Sequence, residues 1–142
     1  MYRFTGVYSV KMDSQRRVVL PSELRNGGGL NEVILTENPV GRYFLSRNVM
    51  YLRERDGEVH RVSVYPREAF EGIVPDFDTQ SLMGVMTKGV NIDGQGRITV
   101  PEPFMEYASL LTDTEVVVSG ALDRVEIWNP EIYENFRKHP AF

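Results

Sequence analysis

Two stretches of this chain place a carboxylate four residues ahead of a guanidinium and close on a proline. They are Asp13-Ser14-Gln15-Arg16-Arg17-Val18-Val19-Leu20-Pro21 and Asp93-Gly94-Gln95-Gly96-Arg97-Ile98-Thr99-Val100-Pro101. An aspartate at that spacing reaches the backbone amides of a tight loop, so Asp13 and Asp93 read as loop-closing groups with a partnering arginine. Arginine itself offers a planar fork of donors that matches phosphate oxygens and the guanine edge. Two such forks, Arg17 and Arg97, related by a repeat, would stand on one surface. Around the first copy Lys11, Arg16, Arg17 and Arg25 outnumber Asp13 and Glu23, although the chain as a whole carries 16 Lys and Arg against 20 Asp and Glu. Local field matters more to DNA than net charge, because screening limits its reach to about 10 Å at moderate salt. On spacing and charge alone, DNA contact and a purely structural ion pair both remain open.

Enzymatic readings fare poorly. Asp13 and Asp93 could suggest the shared-proton carboxylates of a two-lobed aspartic protease. Each is followed by an arginine that would hold it ionised, however, and Asp13 lacks a following glycine. No serine–histidine or phosphate-loop pattern is present, since Gly27-Gly28-Gly29 has no accompanying lysine. With no cysteine and only two histidines, His60 and His139, neither thiol chemistry nor a metal site is expected, and no cofactor is implied. The N-terminus lacks the apolar core of a secretion signal, and no apolar run approaches the roughly 20 residues of a membrane span. The chain reads as soluble and cytoplasmic.

The elements that must position the two motifs follow from their repetition. The motifs align at a constant offset of 80, Asp13 to Asp93 and Pro21 to Pro101 alike. Glu32-Val33-Ile34-Leu35-Thr36 matches Glu115-Val116-Val117-Val118-Ser119 at an offset of 83, and Tyr65-Pro66-Arg67-Glu68-Ala69-Phe70-Glu71 matches Trp128-Asn129-Pro130-Glu131-Ile132-Tyr133-Glu134 at 63. Two homologous units are therefore expected, 1–75 and 76–142, joined near Pro75-Asp76-Phe77-Asp78. The drop in offset places an insert in the first, near 46–65. Asp56-Gly57 signals a tight hairpin there, pairing Arg53 with His60, Tyr51 with Val62 and Val49 with Val64.

Each unit predicts the same series. A strand with Tyr8, Val10 and Met12 on one face enters a loop over 13–16, and a second strand buries Val18 and Leu20 before Pro21. Pro21 and Pro101 end their strands and can open a helix. In the second unit Phe104, Tyr107, Ala108 and Leu111 recur at helical spacing as a core face. A hairpin over 115–128 turns near 120–123, and Asn129-Pro130 starts a closing helix through Phe136. Gly27-Gly28-Gly29 ends the segment after Pro21. Trp128, Phe4, Tyr43, Phe44 and Phe70 read as core or interface. The predicted class is mostly β with short helices, α+β.

The doubled D-x-x-x-R…P segments, with the C-terminal run Val125-Glu126-Ile127-Trp128-Asn129-Pro130-Glu131, resemble the MraZ family over nearly the whole chain apart from the insert. That resemblance implies a pseudo-twofold, swapped-hairpin AbrB-like β-barrel, similar to AbrB regulators and MazE-type antitoxins. It implies a nucleoid-associated transcription regulator that assembles as a homo-oligomeric ring. Such a regulator binds short direct repeats in double-stranded promoter DNA and represses its own cell-division and cell-wall operon. The family's DNA-contacting arginine falls on Arg17 and Arg97, with Arg16 and Lys11 beside the first. Two departures stand out. The family lysine is Gln15 and Gln95 here, and the family glycine is Arg16 in the first copy, which demands a backbone that Gly96 adopts freely. An antitoxin-like or scaffold oligomer working through protein contacts alone is the alternative.

Overall fold

The computed structural model describes residues 4–22, 32–37, 60–73 and 87–138. The chain runs β1 (Val7–Lys11), β2 (Arg17–Val19), β3 (Glu32–Glu37), β4 (Val62–Pro66), α1 (Arg67–Ile73), β5 (Thr87–Asn91), β6 (Arg97–Thr99), α2 (Glu102–Tyr107), β7 (Glu115–Gly120), β8 (Val125–Trp128) and α3 (Pro130–Lys138). The class is mostly antiparallel β with short helices, as the alternation of apolar residues predicts.

Six strands form one sheet in the order β1-β7-β8-β4-β3-β5, and β2 pairs with β6 as a separate two-stranded ribbon. Exchanging each strand for its repeat partner reverses the sheet order without changing it. A pseudo-twofold axis therefore passes between β4 and β8, at the Ser63↔Glu126 pair, and through the ribbon at Val18↔Ile98. The leading strands are exchanged across it: β1 lies against β7, and β5 lies against β3. Among the described residues β1 and β5 remain sheet edges, and no pairing closes the sheet into the barrel that the resemblance implied.

Alternation along each strand sends side chains to two faces. On one face Val33, Leu35, Val62, Val64, Val116, Val118, Val125 and Ile127 pack with Met12, Val18, Leu20, Ile98 and Val100 of the ribbon and its flanks, and with Phe104 and Ala108 of α2. The ribbon thus lies over the sheet. On the other face, Tyr65 meets Phe70 of α1 and Trp128 meets Tyr133 and Phe136 of α3. Layers of ribbon, sheet and helices result. Asn129 caps α3, its Oδ1 accepting from the amides of Glu131 at 2.8 Å and Ile132 at 3.2 Å, with Pro130 in the first turn where no amide is needed.

Three expectations are corrected or fall elsewhere. Leu111 is 65% exposed and Leu110 is buried instead. Helix α2 stops at Tyr107 and Ser109 takes φ 55, so the helical phase that would turn Leu111 inward is broken. Val62 pairs with both Glu37 and Ile127, and Val64 with both Leu35 and Val125. Both edges of β4 are occupied at these positions, leaving no ladder site for the insert pairs expected there. His60 stacks on Tyr107 with ring centroids 4.3 Å apart and its Nδ1 3.2 Å from the Tyr107 carbonyl. The remaining insert pairs, Gly27-Gly28-Gly29, Arg25, Tyr43, Phe44, His139 and the join near 75–78 lie outside the described residues.

Candidate nucleic-acid interface: the paired loops and their ribbon

Asp13 builds its loop with one carboxylate. Its Oδ1 accepts from the Gln15 amide at 2.9 Å and the Arg17 amide at 2.8 Å, and its Oδ2 accepts from Arg17 Nε at 2.6 Å. Asp93 repeats the pattern: Gln95 amide 2.9 Å, Arg97 amide 2.9 Å and Arg97 Nε 2.7 Å. Each aspartate amide also donates to the carbonyl of its arginine, at 3.0 Å and 2.9 Å. Both carboxyls are held below the usual carboxylate range. At Asp13 partial burial alone would raise it, but amide and guanidinium donors from Arg17 outweigh that, aided by the Gln15 amide. At Asp93 the Arg97 amide leads, with the Arg97 guanidinium and the Gln95 amide adding to it against burial.

The residue before each arginine is left-handed, Arg16 at φ 63 and Gly96 at φ 77. That conformation costs glycine nothing and an L-residue of order 1–2 kcal/mol. Its consequence is a carbonyl aimed across the axis. Val100 donates to the Arg16 carbonyl and Leu20 to the Gly96 carbonyl, both at 2.9 Å. Each loop therefore laces into the strand end of the other repeat, just ahead of Pro101 or Pro21. Pro101 then takes the N-cap position of α2, with its carbonyl accepting from Phe104 at 3.0 Å.

Pairing places Arg17 opposite Thr99 and Val19 opposite Arg97. Val18 and Ile98 face inward and are fully buried, so Arg17, Val19, Arg97 and Thr99 share the outer face. The two arginines are diagonal neighbours there, with a spacing of about 7–8 Å expected for such a pair. They are not loose fingers, since their side chains are 30% and 24% exposed and each Nε is committed to its own aspartate. What each aspartate does is aim the guanidinium, whose remaining N–H groups sit beyond that bond.

Arg16 Nη1 pairs with Glu102 Oε1 of α2 at 2.8 Å. Three cations of the patch are thus matched by three carboxylates, and its basic excess is smaller than the sequence implied. Lys11 ends β1 opposite Glu115 rather than on the ribbon. Ser14, Gln15, Arg16, Arg17, Thr99, Glu102 and Thr112 line a recess of about 530 Å³. Glu102 was missed from sequence because it lies 86 positions from Arg16, and only the lacing of the two loops brings it near. Among the described residues no group of three or more His, Cys, Asp and Glu could hold a metal. Nor is any helix long and apolar enough to cross a membrane.

Known proteins resemble this chain in sequence. Residues 82–141 match the family model described as "MraZ protein, putative antitoxin-like". The chain is 28% identical over 146 aligned positions to proteins named transcriptional regulator MraZ from Mycobacterium bovis (strain BCG / Pasteur 1173P2) and Mycobacterium tuberculosis (strain ATCC 25177 / H37Ra), covering 95% of this chain and 87% of each relative. The chain is similar to the MraZ family, in its second half by the family model and over nearly its whole length by these relatives. The relative from Mycobacterium avium (strain 104) is 27% identical over the same share. The family model spans the second D-x-x-x-R loop, and the longer matches span nearly the whole chain.

A second polar cluster escaped the sequence reading. On the helix-covered face of the sheet, Glu126 Oε2 accepts from Arg61 Nε at 2.9 Å and Arg124 Nε at 3.1 Å. Arg61 is 2% exposed, and its guanidinium lies 4.9 Å from the Trp128 ring centroid. Arg124 also pairs with Asp123 at 2.9 Å. Burial alone would push the Glu126 carboxyl up; Arg61 and then Arg124 reverse this and hold it low. At an offset of 63 Arg61 corresponds to Arg124 and Ser63 to Glu126, a signal the repeat contained.

Proposed function

We propose that this chain is a transcription regulator that binds double-stranded DNA with the outer face of the β2–β6 ribbon. Arg17 and Arg97 supply the donors. The observation that carries this reading is their diagonal placement on one surface, each guanidinium aimed by its own aspartate. The naming of the mycobacterial relatives as transcriptional regulators supports it. Gln15 and Gln95 at the loop tips supply neutral hydrogen-bonding groups where the family has lysine, and Lys11 adds a flanking charge.

Because Asp13, Asp93 and Glu102 offset three of the cations, one subunit would release few counterions and bind weakly at physiological salt. Several subunits joined in a ring on short direct repeats would convert later contacts into intramolecular ones, raising avidity by about 10²–10⁴. We place the regulator on the nucleoid in the cytoplasm, repressing its own cell-division and cell-wall operon. Residues 1–75 and 76–142 act as its two AbrB-like units, with the insert ahead of β4 in the first and the implied swapped-hairpin barrel as their common form.

The test is fluorescence anisotropy with duplex DNA from upstream of the gene, across a salt series. Wild type should bind with steep salt dependence. Arg17→Ala and Arg97→Ala should each weaken binding at least tenfold while sedimentation shows unchanged oligomer size. Wild-type-like binding by both variants would overturn the arginine assignment. The matched charges of the patch favour a second reading, an antitoxin-like or scaffold oligomer, and absence of any salt-dependent DNA binding would establish it over the first.

A further inference from the structure

A ribbon with true two-fold symmetry would present the same groups to DNA in either direction along the duplex. Most of this ribbon does. Asp13 and Asp93, Gln15 and Gln95, Arg17 and Arg97, and Val18 and Ile98 occupy equivalent places with matching hydrogen bonds. One feature breaks the symmetry strongly. Arg16 stands where its counterpart is Gly96, and it reaches Glu102, whose counterpart is Ser22.

Folding does not require that arginine. The second loop closes with the same bonds around glycine, and Arg16 bears the left-handed φ of 63. Its Nε is also buried with no hydrogen-bond partner. A costly side chain is thus kept at one of two equivalent positions. It stands beside Glu102, whose side chain is 83% exposed, at the rim of the recess lined by Arg17 and Thr99.

Resting on the DNA-binding reading above, we propose that the Arg16–Glu102 pair is a specificity-determining element that gives this ribbon a direction on DNA. A guanidinium donor next to a carboxylate acceptor complements the major-groove edge of one G·C pair. Guanine there offers N7 and O6 acceptors, and cytosine offers an amino donor. Gly96 and Ser22 cannot make the mirror-image contact. Each subunit therefore reads a polar site.

The full-length protein can be tested by enriching duplexes from a random-sequence pool, once with wild type and once with the double variant Arg16→Gly, Glu102→Ser. Glycine fits φ 63 and both substitutions copy the other half, so the variant retains its fold, to be checked by circular dichroism. The wild-type consensus should be asymmetric, with a G·C preference on one flank only. The variant consensus should lose that flanking G·C preference. A variant consensus as polar as the wild type overturns the proposal while leaving the DNA reading intact. A wild-type consensus that is already symmetric does the same. Failure of wild type to enrich any sequence removes both.

Discussion

Replacing Glu126 by glutamine should destabilise the protein more than its place in a strand would suggest. Glutamine keeps the shape and one carbonyl acceptor but removes the negative charge that Arg61 and Arg124 share, their Nε atoms lying 2.9 and 3.1 Å from one carboxylate oxygen. Asp123 still serves Arg124, whereas Arg61, 2% exposed, loses the carboxylate that its Nε meets. Breaking a buried ion pair from one side costs about 3–5 kcal/mol, because the stranded charge keeps its desolvation penalty. For a chain of this size that corresponds to a fall in Tm on the order of 10–15 °C. The companion variant Arg61→Met removes the stranded charge, keeping an apolar stem against Trp128. The double variant should then be more stable than Glu126→Gln alone. Thermal and urea unfolding followed by circular dichroism measure all three. A Glu126→Gln loss below about 1 kcal/mol, or strictly additive effects in the double variant, would refute the argument that the cluster acts as one electrostatic unit.

Ser63 lies opposite Glu126, and its buried hydroxyl has no hydrogen-bond partner. Ser63→Ala should leave stability unchanged or raise it by about 1 kcal/mol in urea unfolding, since an orphaned polar atom is removed. A Cβ at Gly120 would come within 2.4 Å of the Phe4 carbonyl carbon and the Thr5 nitrogen, both backbone atoms that cannot swing aside. Gly120→Ala should therefore cost about 1–3 kcal/mol and loosen the Phe4↔Leu122 bridge, visible as faster amide exchange at Phe4 and Leu122. Asp13, Asp93 and Glu126 all titrate lower in the folded chain than in the unfolded one. Their stabilisation is thus complete above the unfolded carboxyl values near 4 and disappears as pH falls through the lowered ones. Tm should be nearly level from pH 7 to about 5 and drop below that; a level Tm down to pH 2 would contradict the assignment.

Much of this architecture was legible because it is local. Asp13 to Arg17, the 115–128 hairpin and the Asn129 cap each depend on residues within a few positions of one another, and the repeat offset supplied a second copy to check against. Leu111 misled because periodicity continues through a sequence that the backbone does not follow: the left-handed turn at Ser109 ends the helix while the apolar pattern runs on. The insert hairpin misled at its base for a related reason. Val62 and Val64 suit any apolar partner, and only the full sheet order shows β3 and β8 already beside them. Strand exchange was least visible, since pairing β1 with β7 joins residues more than 100 positions apart, and no local spacing encodes such a match.

Both ends of the pseudo-twofold axis break symmetry, and the physics differs between them. At the sheet, Ser63 and Glu126 are cross-strand neighbours. Glutamate at both places would set two like charges directly opposite each other, which is destabilising, and serine at both would take from buried Arg61 and half-buried Arg124 the acceptor they share. One carboxylate between two guanidiniums is the arrangement that avoids both penalties, so asymmetry there follows from stability. At the ribbon no such constraint operates. A second Gly96 in place of Arg16 would relieve the backbone, remove the unpaired buried Nε and sacrifice only a partly exposed ion pair, typically worth 0–1 kcal/mol. Stability accounts for the asymmetric glutamate but not for the asymmetric arginine, and the arginine is the one that borders the proposed DNA-binding face.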